Sequence, residues 1–339
     1  MSDDCKSERA IHVKIEEGTD ERYGTYPEKR AAEDHVRHGF VVIDKPRGPS
    51  SHEVVSWIKK MMGLERAGHA GTLDPRVSGV LPVALGDSTK VLQGISHEDK
   101  EYIAVMTLHG DASDERIREV LAEFTGEIYQ RPPVKSAVKR QLRTRRVYSL
   151  KMLERDGRYV LLDARVEAGT YIRKLCYDVG EVLGVGANMR ELRRVRVGCF
   201  GEDEAVTLHD LADALYLWKQ YGDESLLRRY VKPVEYMVKH LPRIFIRDSA
   251  VDSVAHGAAL AAPGVAKIED GVERDRMAAI VTLKGELVAL AKAVASTNEV
   301  LKMERGIVAK PTRVIMERGV YPSAWPKGKD GRNEGRRER

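Results

Sequence analysis

Gly68-His69-Ala70-Gly71-Thr72-Leu73-Asp74-Pro75 runs on through Ser78-Gly79-Val80-Leu81-Pro82-Val83-Ala84 to Gly86-Asp87-Ser88-Thr89-Lys90. Glycines and a proline crowd around one carboxylate, so the segment reads as a stiff, non-helical loop with Asp74 at its tip. The apolar run Val80 to Leu85 reads as a strand that anchors the loop. By composition alone, Asp before Pro is most often a turn-former whose side chain caps its own backbone. The loop gains meaning only beside a second segment.

That segment is Glu167-Ala168-Gly169-Thr170-Tyr171-Ile172-Arg173, which ends a strand pattern and opens a helix. Ile172, Leu175, Cys176 and Val179 form the helix's buried stripe, and Arg173 faces away from it. With Thr170 as N-cap, Arg173 falls in the first turn, where the helix dipole opposes a cation. An anionic partner would account for its position; a solvated surface arginine is the competing reading.

Working outward, residues 40–46 read as a buried strand, and Ser50 with Glu53 as a capping box opening a helix that Gly63 ends. Residues 102–108 and 158–166 are strand patterns, and Ser113 caps a helix bearing Ile117, Val120, Leu121 and Phe124. A helix pattern runs from Thr207 to Gly222. Strands and helices intermix without βαβ alternation, which predicts an α+β domain around a central, mainly antiparallel sheet. Beyond about Val234 the texture becomes β-rich, with a Lys284-Gly285-Glu286 turn between apolar runs, as in a small β-barrel.

Length and composition bound the rest: 339 residues exceed one average domain and 42% apolar content supplies a sizeable core. The net charge of +5 is modest, but Lys135, Lys139, Arg140, Arg143, Arg145 and Arg146 crowd one segment and Arg190, Arg193, Arg194 and Arg196 another, as phosphate-tracking surfaces or as solvated faces. Cys5, Cys176 and Cys199 form no zinc pattern and no disulfide framework, so a reducing, intracellular setting is expected. No apolar run approaches the roughly 18 residues of a membrane span, and no secretory signal is evident.

The run 68–90, with Lys100-Glu101-Tyr102, Arg131-Pro132-Pro133-Val134-Lys135-Ser136-Ala137-Val138-Lys139, the 169–173 turn and Arg190-Glu191-Leu192-Arg193-Arg194, resembles the pseudouridine synthase family that includes bacterial tRNA pseudouridine-55 synthase. Gln130-Arg131-Pro132-Pro133, the basic Lys139-Arg140-Gln141-Leu142-Arg143 and the C-terminal third are similar to the dyskerin branch, whose archaeal members are catalytic subunits of box H/ACA guide-RNA particles. The resemblance covers roughly residues 35 to 325. It implies the pseudouridine synthase fold plus a small β-barrel PUA domain. The expected division is 1–34, an N-terminal extension ordered against the PUA domain; 35–230, the catalytic domain; 231–326, the PUA domain; and 327–339, a basic flexible tail.

The resemblance also implies roles. Asp74, Tyr102 and Arg173 are the expected catalytic residues: Asp74 acts on the ribose as nucleophile or base, Arg173 pairs with it and keeps it ionised, and Tyr102 stacks on the uracil and is a candidate for the C5 proton. His69, Leu192, Lys139 and Tyr171 are expected to bind substrate, His69 filling the space of the extruded base. His256, Gly257, Ala258, Leu260, Pro263 and Gly264 are expected to bind guide RNA, although glycines in tight barrel turns explain themselves equally well. Neither a metal nor a cofactor is expected.

The implied function is isomerisation of uridine in rRNA directed by H/ACA guide RNA, with tRNA uridine-55 as a further substrate. A stand-alone tRNA pseudouridine-55 synthase is the alternative, and a non-catalytic RNA-binding scaffold a third reading. Implied partners are the guide RNA, rRNA and tRNA substrates, a small zinc-binding protein, a small β-barrel protein and a kink-turn-binding protein reached through the guide. The short tail lacks a long lysine-rich extension, so an archaeal, cytoplasmic protein is expected, nucleolar only were the source eukaryotic.

Overall fold

Two apolar clusters with no shared member organise the chain in the computed structural model, which describes residues 9–132 and 141–323. One is built on Val41, Ile43, Ile58, Leu81, Val83, Met106, Leu162, Leu175 and Leu215, the other on Ile244, Ile246, Val251, Ile268, Ile280, Val288 and Val308. Accordingly residues 27–240 form one unit, and 9–26 with 241–323 a second.

The first unit carries a ten-stranded sheet. Its main path is Val231–Pro233, Gly39–Lys45, Ser78–Leu85, Ala187–Val197, Lys100–Leu108, Tyr159–Val166, Arg143–Asp156 and Gly126–Gln130. Neighbours on this path pair antiparallel except Ser78–Leu85 with Ala187–Val197, whose short parallel register matches Ser78 with Arg193 and Gly79 with Arg194. Lys100–Leu108 alternates buried and half-buried positions, so Tyr102, Ala104 and Met106 share the inner face. Helices Asp114–Glu123 and Ile172–Leu183 supply Ile117, Val120, Leu121, Leu175, Cys176 and Val179 to the same core.

Local signals act as the sequence leads one to expect at several helix ends. Ser50 and Glu53 form a reciprocal capping box, Ser113 accepts from the Arg116 N–H, and Gly63 closes its helix in the left-handed region. Thr170 differs. Its hydroxyl donates to the Glu167 carbonyl at 2.7 Å, and Tyr171 is the N-cap of Ile172–Leu183, with no side-chain cap of its own.

In the second unit a seven-stranded sheet has the order Ile11–Val13, Val265–Glu269, Arg243–Ile246, Met277–Thr282, Leu287–Ala293, Ile307–Val314 and Leu260–Ala261. The N-terminal arm is part of this unit: Ile11, His12 and Val13 pair antiparallel with Glu269, Ile268 and Lys267. The Asp248 carboxylate accepts from the Thr19 hydroxyl and the Asp20 N–H. The arm thus divides near Pro27 rather than at residue 34, because Ala32, His35 and Val36 of the helix Ala32–Arg37 are buried in the first unit. The later boundary falls after His240, ten residues past 230, because Val231–Pro233 adds an edge strand to the first sheet through Val41, Phe40 and Gly39. Cys176 is free and buried.

Gly180 lies inside the helix Ile172–Leu183 and is buried against the start of Ala187–Val197; a Cβ there would sit 2.0 Å from the Ala187 nitrogen. Gly180→Ala would normally gain about 1 kcal/mol of helix propensity. Here backbone overlap should outweigh that gain and leave a net loss of about 1–3 kcal/mol. Urea unfolding checks this; an unchanged or raised midpoint would show that the helix does not pack backbone to backbone on the sheet.

Candidate active site

The loop bearing Asp74 is held from beneath by groups the sequence reading did not single out. Ser51 at the start of its helix donates its hydroxyl to the Leu73 carbonyl at 3.1 Å and accepts the Leu73 N–H at 2.8 Å. Lys45, 0% exposed at the end of its strand, donates to the carbonyls of Val77 at 2.8 Å and Pro46 at 2.7 Å. The Gly48 N–H bonds the Pro75 carbonyl at 2.8 Å. Arg194, 1% exposed, sends Nε to the Val80 carbonyl at 2.8 Å and an Nη to the Gly71 carbonyl at 3.0 Å, spanning both ends of the loop.

These buried cations shape the local field. Burial pushes the Lys45 ammonium down, with Arg194 adding to the effect and the Asp74 carboxylate opposing it. Burial likewise lowers Arg194, with the neighbouring Tyr102 opposing the effect electrostatically. Lys100, packed near Gly71, is pushed down to about 8 by burial and by Arg194. A desolvated cation with neutral partners is costly, and here carbonyl dipoles supply the compensation.

Asp74 and Arg173 lie 99 residues apart in sequence and meet at 2.6 Å, Nη2 to Oδ2. The two side chains are 58% and 56% exposed, so the pair stands open to solvent in the chain by itself. Arg173 is presented by the first turn of Ile172–Leu183, behind a turn in which Gly169 takes φ +83° and packs under the Arg145 side chain. Tyr102 and Leu192 project from adjacent strands on the inner sheet face, where Tyr102 pairs in register with Arg194 and Ala104 with Leu192. Tyr102 is buried, and Leu192 is half-buried against the core.

His69 ends the short strand Ala67–His69, and its ring meets His52 edge-on at 5.0 Å. Both its nitrogens are buried without a hydrogen-bond partner. Burial, then the neighbouring His52 and Arg194, pushes it down to about 4, so the ring is neutral at physiological pH. Tyr171 is half-buried. Lys139 lies outside the described residues. Beside the pair, a groove of about 1010 Å³ runs along Phe124, Ile128, Tyr129, Tyr177 and Val182. Arg173 is at its rim, but Asp74 and Tyr102 do not line it, so the groove adjoins the ion pair rather than containing it.

Of the arginines at 190–196, most are engaged. Arg193 grips the Asp44 carboxylate with two bonds of 3.0 Å and pairs with Glu202, Arg196 binds Glu101 at 2.7 Å, and Arg190 donates to the Tyr159 hydroxyl at 2.9 Å. In the second unit His256, Gly257, Ala258 and Pro263 are exposed. Leu260 is a core residue, 1% exposed, and offers no open surface to a ligand. Gly257 needs glycine for its φ of +92° in open space, whereas a Cβ on Gly264 would press on Ala250 and Leu260, which makes Gly264 a packing glycine.

Four family descriptions match the chain in order. The DKCLD (NUC011) domain covers residues 3–55, the TruB family pseudouridylate synthase N-terminal domain 59–172, the tRNA pseudouridylate synthase B C-terminal domain 173–239, and the PUA domain 242–315. A probable tRNA pseudouridine synthase B of Pyrobaculum arsenaticum is 59% identical over 322 residues, covering 95% of this chain and 97% of the relative. Its counterpart in Pyrobaculum calidifontis is 60% identical over 320 residues, covering 94% and 96%. Among solved structures, a chain of an H/ACA RNP bound to a substrate RNA containing 2′-deoxyuridine matches with a TM-score of 0.87 and 49% identity over 95% of this chain and 99% of that one. A chain of a Cbf5-Nop10-Gar1 complex matches with 0.87 and 51% over 94% and 98%.

The His69 environment sets a pH dependence. In the unfolded chain the ring titrates near 6.5 and in the folded chain near 4. Between these values the unfolded state binds more protons, so stability should fall as pH drops through that window and level off below it. His69→Gln should flatten this component in thermal unfolding followed from neutral pH to about pH 4. Equal acid sensitivity in variant and wild type would place the responsible group elsewhere.

Proposed function

The chain belongs to the TruB family of pseudouridylate synthases and is an RNA pseudouridine synthase carrying a PUA domain; from that premise we propose that it isomerises uridine in rRNA under the direction of an H/ACA guide RNA, and also acts on uridine-55 of tRNA. The observation that carries the catalytic reading is the Asp74–Arg173 pair at 2.6 Å, set on a loop whose backbone is clamped by Ser51, Lys45 and Arg194.

In this reading the N-glycosidic bond breaks, the uracil turns in place, and C5 joins C1′ while its proton is released. Asp74 acts on the ribose, by attack at C1′ or by taking a proton, and Arg173 fixes its orientation and charge. A uracil anion leaves without strong acid help, so one carboxylate suffices where a glycosidase uses two. Tyr102 stacks on the base, worth about 1–3 kcal/mol, and is the candidate to take the C5 proton, its oxygen accepting that proton as its own hydroxyl proton passes to water. Leu192 packs on the other face of the pyrimidine. His69, neutral, fills the gap left by the extruded nucleotide without burying a charge, helping to offset an unstacking cost of a few kcal/mol. Tyr171 and Lys139 would add substrate contacts, and residues 256–264 would hold the guide RNA.

Likeness to chains of an H/ACA RNP and of a Cbf5-Nop10-Gar1 complex supports the guided reading and the assembly with counterparts of Nop10 and Gar1. The kink-turn-binding partner rests on the family resemblance alone. The Pyrobaculum relatives, probable tRNA pseudouridine synthases B, favour the tRNA substrate that the second reading shares. Among the described residues no helix is long and apolar enough to cross a membrane, and we place the protein in the cytoplasm.

Asp74→Asn should bind RNA like the wild type and lose turnover; near-normal pseudouridine formation by this variant would remove Asp74 from the mechanism. The two substrate readings separate when pseudouridine is measured on an rRNA fragment and on a tRNA transcript, each with and without guide and partner proteins. Reaction of the rRNA fragment only with guide and partners supports the guided enzyme. Reaction of tRNA alone, with no effect of the guide on either RNA, supports the stand-alone enzyme.

A further inference from the structure

Arg173 can meet Asp74 only if the first turn of its helix is aimed correctly, and that turn lacks the usual means of fixing it. Helices beginning after Ser50, Ser113 and Thr207 are capped by those side chains. The helix Ile172–Leu183 begins after Tyr171 with no side-chain cap. What holds Tyr171 instead is Gln130, the last residue of the strand Gly126–Gln130. Its side-chain carbonyl accepts the Tyr171 N–H at 2.9 Å, and its amide group donates to the Tyr171 carbonyl at 3.2 Å. Gln130 is 2% exposed, and its carboxamide thus grips both backbone polar groups of the residue two places before Arg173.

The rest of the turn is tied to the same pair of strands. The Glu167 carboxylate accepts the Arg146 N–H at 2.9 Å, and the Glu167 N–H bonds the Arg146 carbonyl at 2.8 Å. These bonds fix where the turn begins, whereas Gln130 fixes where the helix begins. We propose that Gln130 is a positioning residue for the isomerisation: its bidentate grip on Tyr171 aims the helix so that the Arg173 guanidinium lands on Asp74. A buried carboxamide with both groups spent on one residue sets the helix start in translation and in rotation, which a single cap bond would not. A misplacement of about 1 Å remote from the reacting atoms costs about a hundredfold in rate.

The proposal rests on Asp74 and Arg173 forming the catalytic pair. Asp74→Asn tests that reading by itself: if that variant turns over normally, the site assignment fails whatever Gln130 does. The assay is release of tritium from uridine C5 in a tRNA transcript, or in an rRNA fragment with guide and partners if tRNA does not react. Gln130→Ala should lower kcat about tenfold to a hundredfold with KM for the RNA within about twofold. In an Arg173→Lys background, where the guanidinium is already absent, the same change should cost less than about threefold. Equal losses in both backgrounds, or an unchanged kcat, would overturn the proposal.

Gln130→Glu gives a second test should the alanine variant unfold. An ionised carboxylate keeps the bond from the Tyr171 N–H but repels the Tyr171 carbonyl; once protonated it can donate there. Burial raises the pKa of such a carboxyl, so its kcat relative to wild type should rise as pH is lowered from about 8 to about 6. A ratio that stays flat would show that the grip on the carbonyl does not matter for turnover.

Discussion

A buried guanidinium is the constraint on which the catalytic unit depends. Arg194 lies at the one parallel junction of the main sheet, where Gly79 approaches so closely that a Cβ would meet the Arg194 carbonyl at 2.1 Å. Its side chain folds back to bond the carbonyls of Gly71 and Val80. Desolvating a guanidinium among neutral partners is expensive, and removing any one of those acceptors would leave part of the charge uncompensated. The loop therefore has one way to sit: carbonyls inward, towards Arg194 and Lys45, and the Asp74 side chain outward. Ser51, satisfying both backbone groups of Leu73, removes the remaining freedom next to the acid.

Against that scaffold the Asp74–Arg173 pair contributes little to stability. Both side chains are more than half exposed, and exposed pairs are worth about 0–1 kcal/mol. Its geometry is dictated by the loop from one side and the helix start from the other, so the energy that sets the 2.6 Å contact is stored in buried carbonyl, hydroxyl and amide bonds rather than in the ion pair. That division suits catalysis. The buried bonds fix where the Asp74 backbone sits, and the single exposed contact with Arg173 is left to set the rotamer and charge of its carboxylate.

How much of this was legible in the sequence depends on whether a residue's role is local. The caps at Ser50, Ser113 and Thr207 and the glycine stops at Gly63 and Gly222 act within one turn, and their signals could be read directly. The strands Arg143–Asp156 and Ala187–Val197 could not. Register shifts at Val147/Ser149, Met152/Glu154, Glu101/Tyr102 and Val105/Met106 break the two-residue alternation, and the arginines of the second strand suggest a solvated or phosphate-facing patch. In the fold those arginines are divided between faces: Arg193 and Arg196 neutralise Asp44, Glu202 and Glu101, and Arg194 goes inside. Asp74 and Arg173 could be picked out from their own segments. Lys45, Ser51 and Arg194 could not, because, apart from the Lys45 bond to neighbouring Pro46, their bonds run to backbone groups 22 to 123 residues away, which no local pattern encodes.

The openness of the ion pair constrains how the reaction is paid for. Extruding a nucleotide costs a few kcal/mol, and the proposed stacking on Tyr102 would return about 1–3, so the local exchange would come out near zero. Excluding water from a half-exposed carboxylate adds a further demand that the described residues do not meet. The surplus must come from RNA outside the target nucleotide, through phosphate contacts whose strength depends on salt. The net charge of only +5 limits what one chain can supply by itself, and Arg193 and Arg196 are already spent on internal carboxylates. An RNA held through a second domain or a second nucleic acid strand would close the site and supply the deficit together, so the physics of the open pair favours an enzyme that reads its substrate in a larger assembly.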